Sequence, residues 1–147
     1  NNIDIAYYQT GSDNLGREVC DSDGYFCTGP ATLLEPRRTA YFMAMLMRSD
    51  YLRVIGVDPE IAEDVLDAAD DLRSEGLLRS SDISNLDAYM AYGDGWPFHH
   101  HHMHVSWSWE SGYAARTPAP TPIGCQHTEV TEPVKRRLGP GLSTPIR

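Results

Sequence analysis

The segment His99-His100-His101-His102-Met103-His104 holds five of the chain's six histidines. Histidine is the commonest protein metal ligand, and its neutral imidazole suits zinc. The segment runs into Val105-Ser106-Trp107-Ser108-Trp109, which alternates apolar and polar residues as a strand does. Side chains on a strand alternate faces. His102 and His104 therefore share one face, with Met103 and Val105 on the other. Two imidazoles fixed side by side on a half-buried strand are pre-organised for a single metal ion. The plainer alternative is a solvated histidine-rich loop, which would hold several ions weakly. Met103 and the flanking Trp96-Pro97-Phe98 and Trp107 set the run apart from a terminal affinity tag.

A catalytic zinc takes about three protein ligands and keeps one position for water. Asp4 is the carboxylate candidate. In Ile3-Asp4-Ile5-Ala6-Tyr7-Tyr8, Ile3, Ile5 and Tyr7 fall on one face and Asp4, Ala6 and Tyr8 on the other. A charge within an apolar strand is costly unless it has a partner. The competing reading is an edge-strand acid facing solvent.

Several elements must position these residues. Residues 3–9 predict a first strand. Residues 10–35 predict a long loop in which Cys20 and Cys27 bracket Asp21 to Phe26, the spacing of a local disulfide. Pro36 suits the first turn of a helix running to about Ser49, with Tyr41, Met45, Phe42 and Leu46 on its buried face. Met43, Met45 and Met47 read as core filling rather than copper ligands. Residues 51–57 predict a second strand. Asp58 as N-cap and Pro59 then open a helix to about Glu75. Ile61, Val65, Leu66, Ala69 and Leu72 form its apolar stripe, and Gly76 its stop. Glu63, Asp64, Asp67, Asp70 and Asp71 read as a solvated face. A short helix within 82–90 and a turn at Gly93 to Pro97 lead to the histidine strand, which runs to about Trp109. The order implies an α+β domain over residues 1–111, with a small, mostly antiparallel sheet and two main helices. Residues 112–147 hold six of the ten prolines and predict an extended tail.

Composition narrows the function classes. The chain has 147 residues, 41% hydrophobic and 22% charged, so one domain of ordinary globular balance is expected. It has no apolar run of about 18 residues, so no membrane span is expected. A net charge of −9 argues against a nucleic-acid partner. Residues 112–147 carry five Lys/Arg and two acids, hence +3, which leaves −12 on residues 1–111. The histidines lie in that acidic part, which raises the local cation concentration. A cysteine pair points to an oxidising compartment, and the odd Cys125 to a partner elsewhere. The chain opens directly on a strand without an initiator Met, as a processed product would.

Asn2-Ile3-Asp4-Ile5-Ala6-Tyr7-Tyr8, together with His99-x-x-His102-Met103-His104-Val105, resembles the zinc peptidases of the lysostaphin, D-Ala-D-Ala peptidase and hedgehog type. Penicillin-insensitive murein endopeptidases look most similar. Those proteins carry a zinc-binding Asp in an apolar strand and, much later, a His-x-x-His-x-His-Val strand. Val54-Ile55-Gly56-Val57-Asp58-Pro59-Glu60-Ile61 is similar to their middle section, so the resemblance spans roughly residues 1–109. It implies a hedgehog/DD-peptidase-like fold, with Asp4 and His104 as zinc ligands. It also implies His102 beside the catalytic water and His99 facing the substrate. The family's first zinc His would fall seven residues before Asp4, three positions ahead of Asn1. An upstream segment, or a separate chain joined through Cys125, would supply it; His100 or His127 are the substitutes within this chain. His101 stands where the family has an acid and Ser106 where it often has Arg. The implied activity is hydrolysis of amide bonds in cell-wall peptides, with peptidoglycan as partner, by a secreted, extracellular or periplasmic protein. The alternative is a non-catalytic metal-binding or adhesion module that keeps the peptidase-like fold.

Overall fold

Apolar residues from three helices and the inward residues of the strands meet on one face of a four-stranded sheet. The structure, a computed structural model, describes residues 1–12 and 15–109. The predicted tail over 112–147, with Cys125 and His127, lies outside the described residues. The strands are β1 (Asn2–Ala6), β2 (Leu52–Gly56), β3 (Met90–Ala91) and β4 (His102–Trp107). The helices are α1 (Pro36–Leu46), α2 (Pro59–Ser74) and α3 (Ser80–Tyr89). The sheet order is β1-β4-β2-β3. β4 is antiparallel to both β1 and β2, while β2 and β3 run parallel. The class is α+β with a mixed sheet.

Register divides the sheet into two faces. Ile5 pairs with Met103, and Ile55 with Val105. These residues pack on Met43, Ile61, Val65 and Leu86 to make the core. Asp4 pairs with His104, Ala6 with His102, and Gly56 with His104. Directly paired residues project to the same side of a sheet. Asp4, His102, His104 and Gly56 therefore share the face away from the core.

Local chemistry fixes the ends of α2. The Asp58 carboxylate accepts the Glu60 N–H at 3.0 Å, and Pro59 occupies the first turn. At its end, Gly76 (φ +78°) donates to Arg73 and Leu77 donates to Leu72, at 3.0 and 2.9 Å. That pairing satisfies the last carbonyls and needs the positive φ that glycine allows. The acidic residues of α2 are exposed, as expected of a solvated face.

The structure changes several sequence expectations. β1 stops at Ala6, and Tyr7 turns inward to donate its hydroxyl to the His99 carbonyl at 2.8 Å. α1 buries Thr39, Ala40, Met43 and Ala44, whereas Tyr41 is exposed. Phe42, Met45 and Leu46 pack partly buried against the core, as expected, and Phe42 also meets Tyr8 edge-on, with ring centroids 5.6 Å apart. α3 is a full third helix, and β3 is too short to leave a periodic signal. β4 begins only at His102, three residues into the histidine run.

The Cys20–Cys27 disulfide forms. Its loop braces the histidine segment. Val19 donates to the His100 carbonyl at 3.3 Å, and Phe98 donates to the Tyr25 carbonyl at 2.7 Å. Cys27 donates to the Asp58 carboxylate at 2.9 Å, tying the loop to the start of α2. Among the described residues, no helix is long and apolar enough to cross a membrane.

Candidate metal centre

Two strands distant in sequence bring the central pair together. Asp4 on β1 and His104 on β4 are cross-strand partners, with Asp4 Oδ1 2.7 Å from His104 Nδ1. His102, two residues earlier on the same face, places Nε2 3.7 Å from the same oxygen. The Asp4 side chain is 61% exposed and those of His102 and His104 are 19% and 28% exposed, so the group is open to a ligand. The hydrogen bond from His104 holds the Asp4 carboxyl below its usual range, with smaller help from the charges of His102, His104 and His99 and against slight burial. Burial, followed by the neighbouring His101, pushes the His102 imidazole down; Asp4 opposes this. His102 is therefore neutral at neutral pH and keeps a lone pair.

His99 joins the group from the turn before β4. Its ring centroid lies 5.0 Å from that of His102 and 6.0 Å from that of His104. Its Nδ1 is 3.1 Å from the Trp96 carbonyl, to which it donates. In the neutral ring that bond selects the tautomer with its lone pair on Nε2, the one a ligating or proton-accepting histidine needs. The residue before it, Phe98, has φ +68°, a strained value for a side chain with a Cβ. The Phe98 bond to Tyr25 and the contact of their rings, 5.0 Å apart, hold that turn.

All four site residues expected from the sequence, Asp4, His99, His102 and His104, thus gather on one face. His100 does not join them. Its ring is buried and its Nε2 lies 3.6 Å from Glu18, because the strand alternation that would align it with His102 does not extend that far. His101 sits between the groups, its Nε2 3.2 Å from His102 Nδ1.

Trp96 and Gly56 belong to the site in a way the sequence left open. A Cβ on Gly56 would collide with the Trp96 ring. The missing side chain lets the half-buried indole lie on the outer face of the sheet. There its ring centroid is 5.6 Å from His99 and 6.2 Å from His104. Gly56 pairs directly with His104, so its backbone must leave room beside a metal-ligand candidate. Gly56→Val is expected to evict the indole, cost about 1–3 kcal/mol of stability through overpacking, and red-shift tryptophan emission. A urea melt and an emission spectrum check it; unchanged values would place Trp96 elsewhere.

No protein-family model, curated protein or solved structure matches this chain. The donor chemistry fits zinc: one carboxylate and imidazoles on a shared face. The number in place is short. Among the described residues, no group of three or more His, Cys, Asp or Glu side chains is arranged to hold a metal ion. Asp4 and His104 are the two candidate donors in direct contact, with His102 beside them.

Proposed function

We propose that this chain is a zinc-dependent, peptidase-like domain that hydrolyses amide bonds in cell-wall peptides. One observation carries the reading: Asp4 and His104, one hundred positions apart, meet at 2.7 Å with His102 and His99 alongside. These are the positions that the likeness to zinc peptidases singles out. Asp4 and His104 would hold the ion, and a third donor would have to join them. Bound zinc would lower the pKa of a water and polarise a carbonyl.

The remaining work falls to side chains already in place. His102, neutral and partly buried, accepts a proton at Nε2 or donates it to a departing amine. His101 contacts its other nitrogen and fixes the ring. His99 presents Nε2 toward the substrate, and Trp96 shields one side from water. The disulfide supports an extracellular or periplasmic setting. The −9 charge disfavours an anionic wall polymer as the docking surface, so the peptide is the part recognised.

The test combines elemental analysis with digestion of purified peptidoglycan. One zinc per chain and new peptide ends among the released fragments are expected. Metal-free protein that releases nothing would overturn the proposal. A second reading, a metal-binding module without turnover, is favoured by the two-donor count among the described residues. It predicts one zinc per chain and no new peptide ends.

A further inference from the structure

A separate pocket of about 430 Å³ opens where β1 ends. Its volume is within the range of small-ligand sites. Ile5, Leu15 and the edge-to-face pair of Tyr8 and Phe42 supply apolar walls, while Gln9 and Arg38 supply the polar ones. Arg38 and Phe42 are one helical turn apart on α1, so they present to the pocket together.

Arg38 stands out among the arginines. Arg37 is paired with Glu75, Arg48 and Arg79 with Asp82, and Arg73 with Asp70. Arg38 has no hydrogen-bond or ion-pair partner among the described residues. In a chain of net charge −9, a guanidinium left without a carboxylate beside an apolar pocket is complementary to an anionic group on an apolar ligand. The guanidinium fork matches a carboxylate in two parallel bonds.

The pocket is continuous with a sheet edge that has no strand partner among the described residues. There β1 pairs with β4 on one side only and stands at the end of the strand order. Ile5 and Ala6 belong both to that edge and to the pocket wall. An exposed edge of this kind accepts an extended peptide as an added strand, and adjoining pockets then read its side chains.

We propose that β1 and this pocket bind the C-terminal end of an extended peptide with an apolar last residue. Arg38 holds the terminal carboxylate. Phe42, Tyr8 and Leu15 surround the last side chain, and the preceding backbone pairs along β1. The proposal stands apart from the metal chemistry.

Calorimetric titration of the full chain tests it. The probes are acetyl-Ala-Ala-Phe with a free carboxylate, the same peptide as its C-terminal amide, and N-acetylphenylalanine. The free acid is expected to bind about tenfold or more tighter than the amide, as a charge-assisted bond implies. It should also bind tighter than N-acetylphenylalanine, which has no backbone to pair with β1. Arg38→Gln should abolish the preference for the acid, while Arg37→Gln, whose partner is Glu75, should preserve it. Arg38 is exposed, so its variant is expected to fold; a matching thermal melt confirms this. Equal binding of acid and amide, no binding of the acid, or a preference surviving Arg38→Gln would overturn the proposal. Equal binding of N-acetylphenylalanine and the peptide would overturn the strand pairing.

Discussion

If the chain is a zinc peptidase as proposed, His104→Ala is expected to lose zinc binding and, with it, all measurable hydrolysis. Removing partners that merely orient a ligand costs about 10–100-fold in metal affinity, so removing a ligand should cost more than about 100-fold. His104 is the donor in direct contact with Asp4, at 2.7 Å, so its removal takes away half of the pair that would hold the ion. His102→Ala should behave differently. It should retain one zinc per chain while kcat falls by about 10²–10⁴-fold, the usual range for a lost acid–base group. Elemental analysis and peptidoglycan digestion of both variants give the split. Full zinc occupancy in His104→Ala would remove it from the ligand set; metal loss in His102→Ala would make His102 a ligand. The His104 side chain is 28% exposed, so truncation should leave the fold intact.

The placement of Asp4, His102 and His104 side by side was more legible in the sequence than the frame around them, for a physical reason. Strand alternation is a local rule, so His102 and His104 could be put on one face without knowing what β4 pairs with. Asp4 stood out because an acid within an apolar strand needs a partner. The rule failed where the strand did not exist: His100 lies before β4 and points to Glu18. On α1 the expected face holds for Phe42, Met45 and Leu46, which pack against the core, but Tyr41 is exposed, because the exact centre of the buried stripe depends on tertiary partners that no local pattern reveals. The fit of Trp96 on Gly56 is likewise a contact across the fold, forty positions apart in the chain. The helix ends of α2 were legible, since Asp58, Pro59 and Gly76 act on their nearest neighbours.

The second large effect concerns Asp82, which carries no catalytic chemistry. Its carboxylate is 1% exposed and joins the end of α1 to the start of α3. It accepts the Arg48 guanidinium in two bonds of 3.0 and 2.9 Å, just beyond the end of α1. It also accepts the Arg79 backbone N–H at 2.8 Å, at the start of α3. Removing one partner of a buried ion pair costs about 3–5 kcal/mol. Arg48 is 38% exposed and regains water when unpaired, so the lower figure applies to Asp82→Ala, about 3 kcal/mol. For a domain of this size that lowers Tm by about 10 °C or more. The equally well-aligned Arg37–Glu75 pair, exposed on both sides at 44% and 49%, should contribute only about 0–1 kcal/mol. The Arg48 hydrogen bonds hold the Asp82 carboxyl far below its ordinary 3.8, with Arg79 adding to them against burial. A group whose folded pKa is depressed stabilises the fold fully above its unfolded value and loses that contribution as pH falls toward the folded one. Wild-type stability should therefore decline below about pH 4, and the gap to Asp82→Asn should narrow over the same range. Urea midpoints for both proteins between pH 7 and pH 2 measure it. Asp4, Asp23 and Glu75 shift in the same direction but sit in solvent, so they add little to the slope. A constant gap across that range would mean that Asp82 acts through hydrogen-bond geometry alone, with no contribution from its charge.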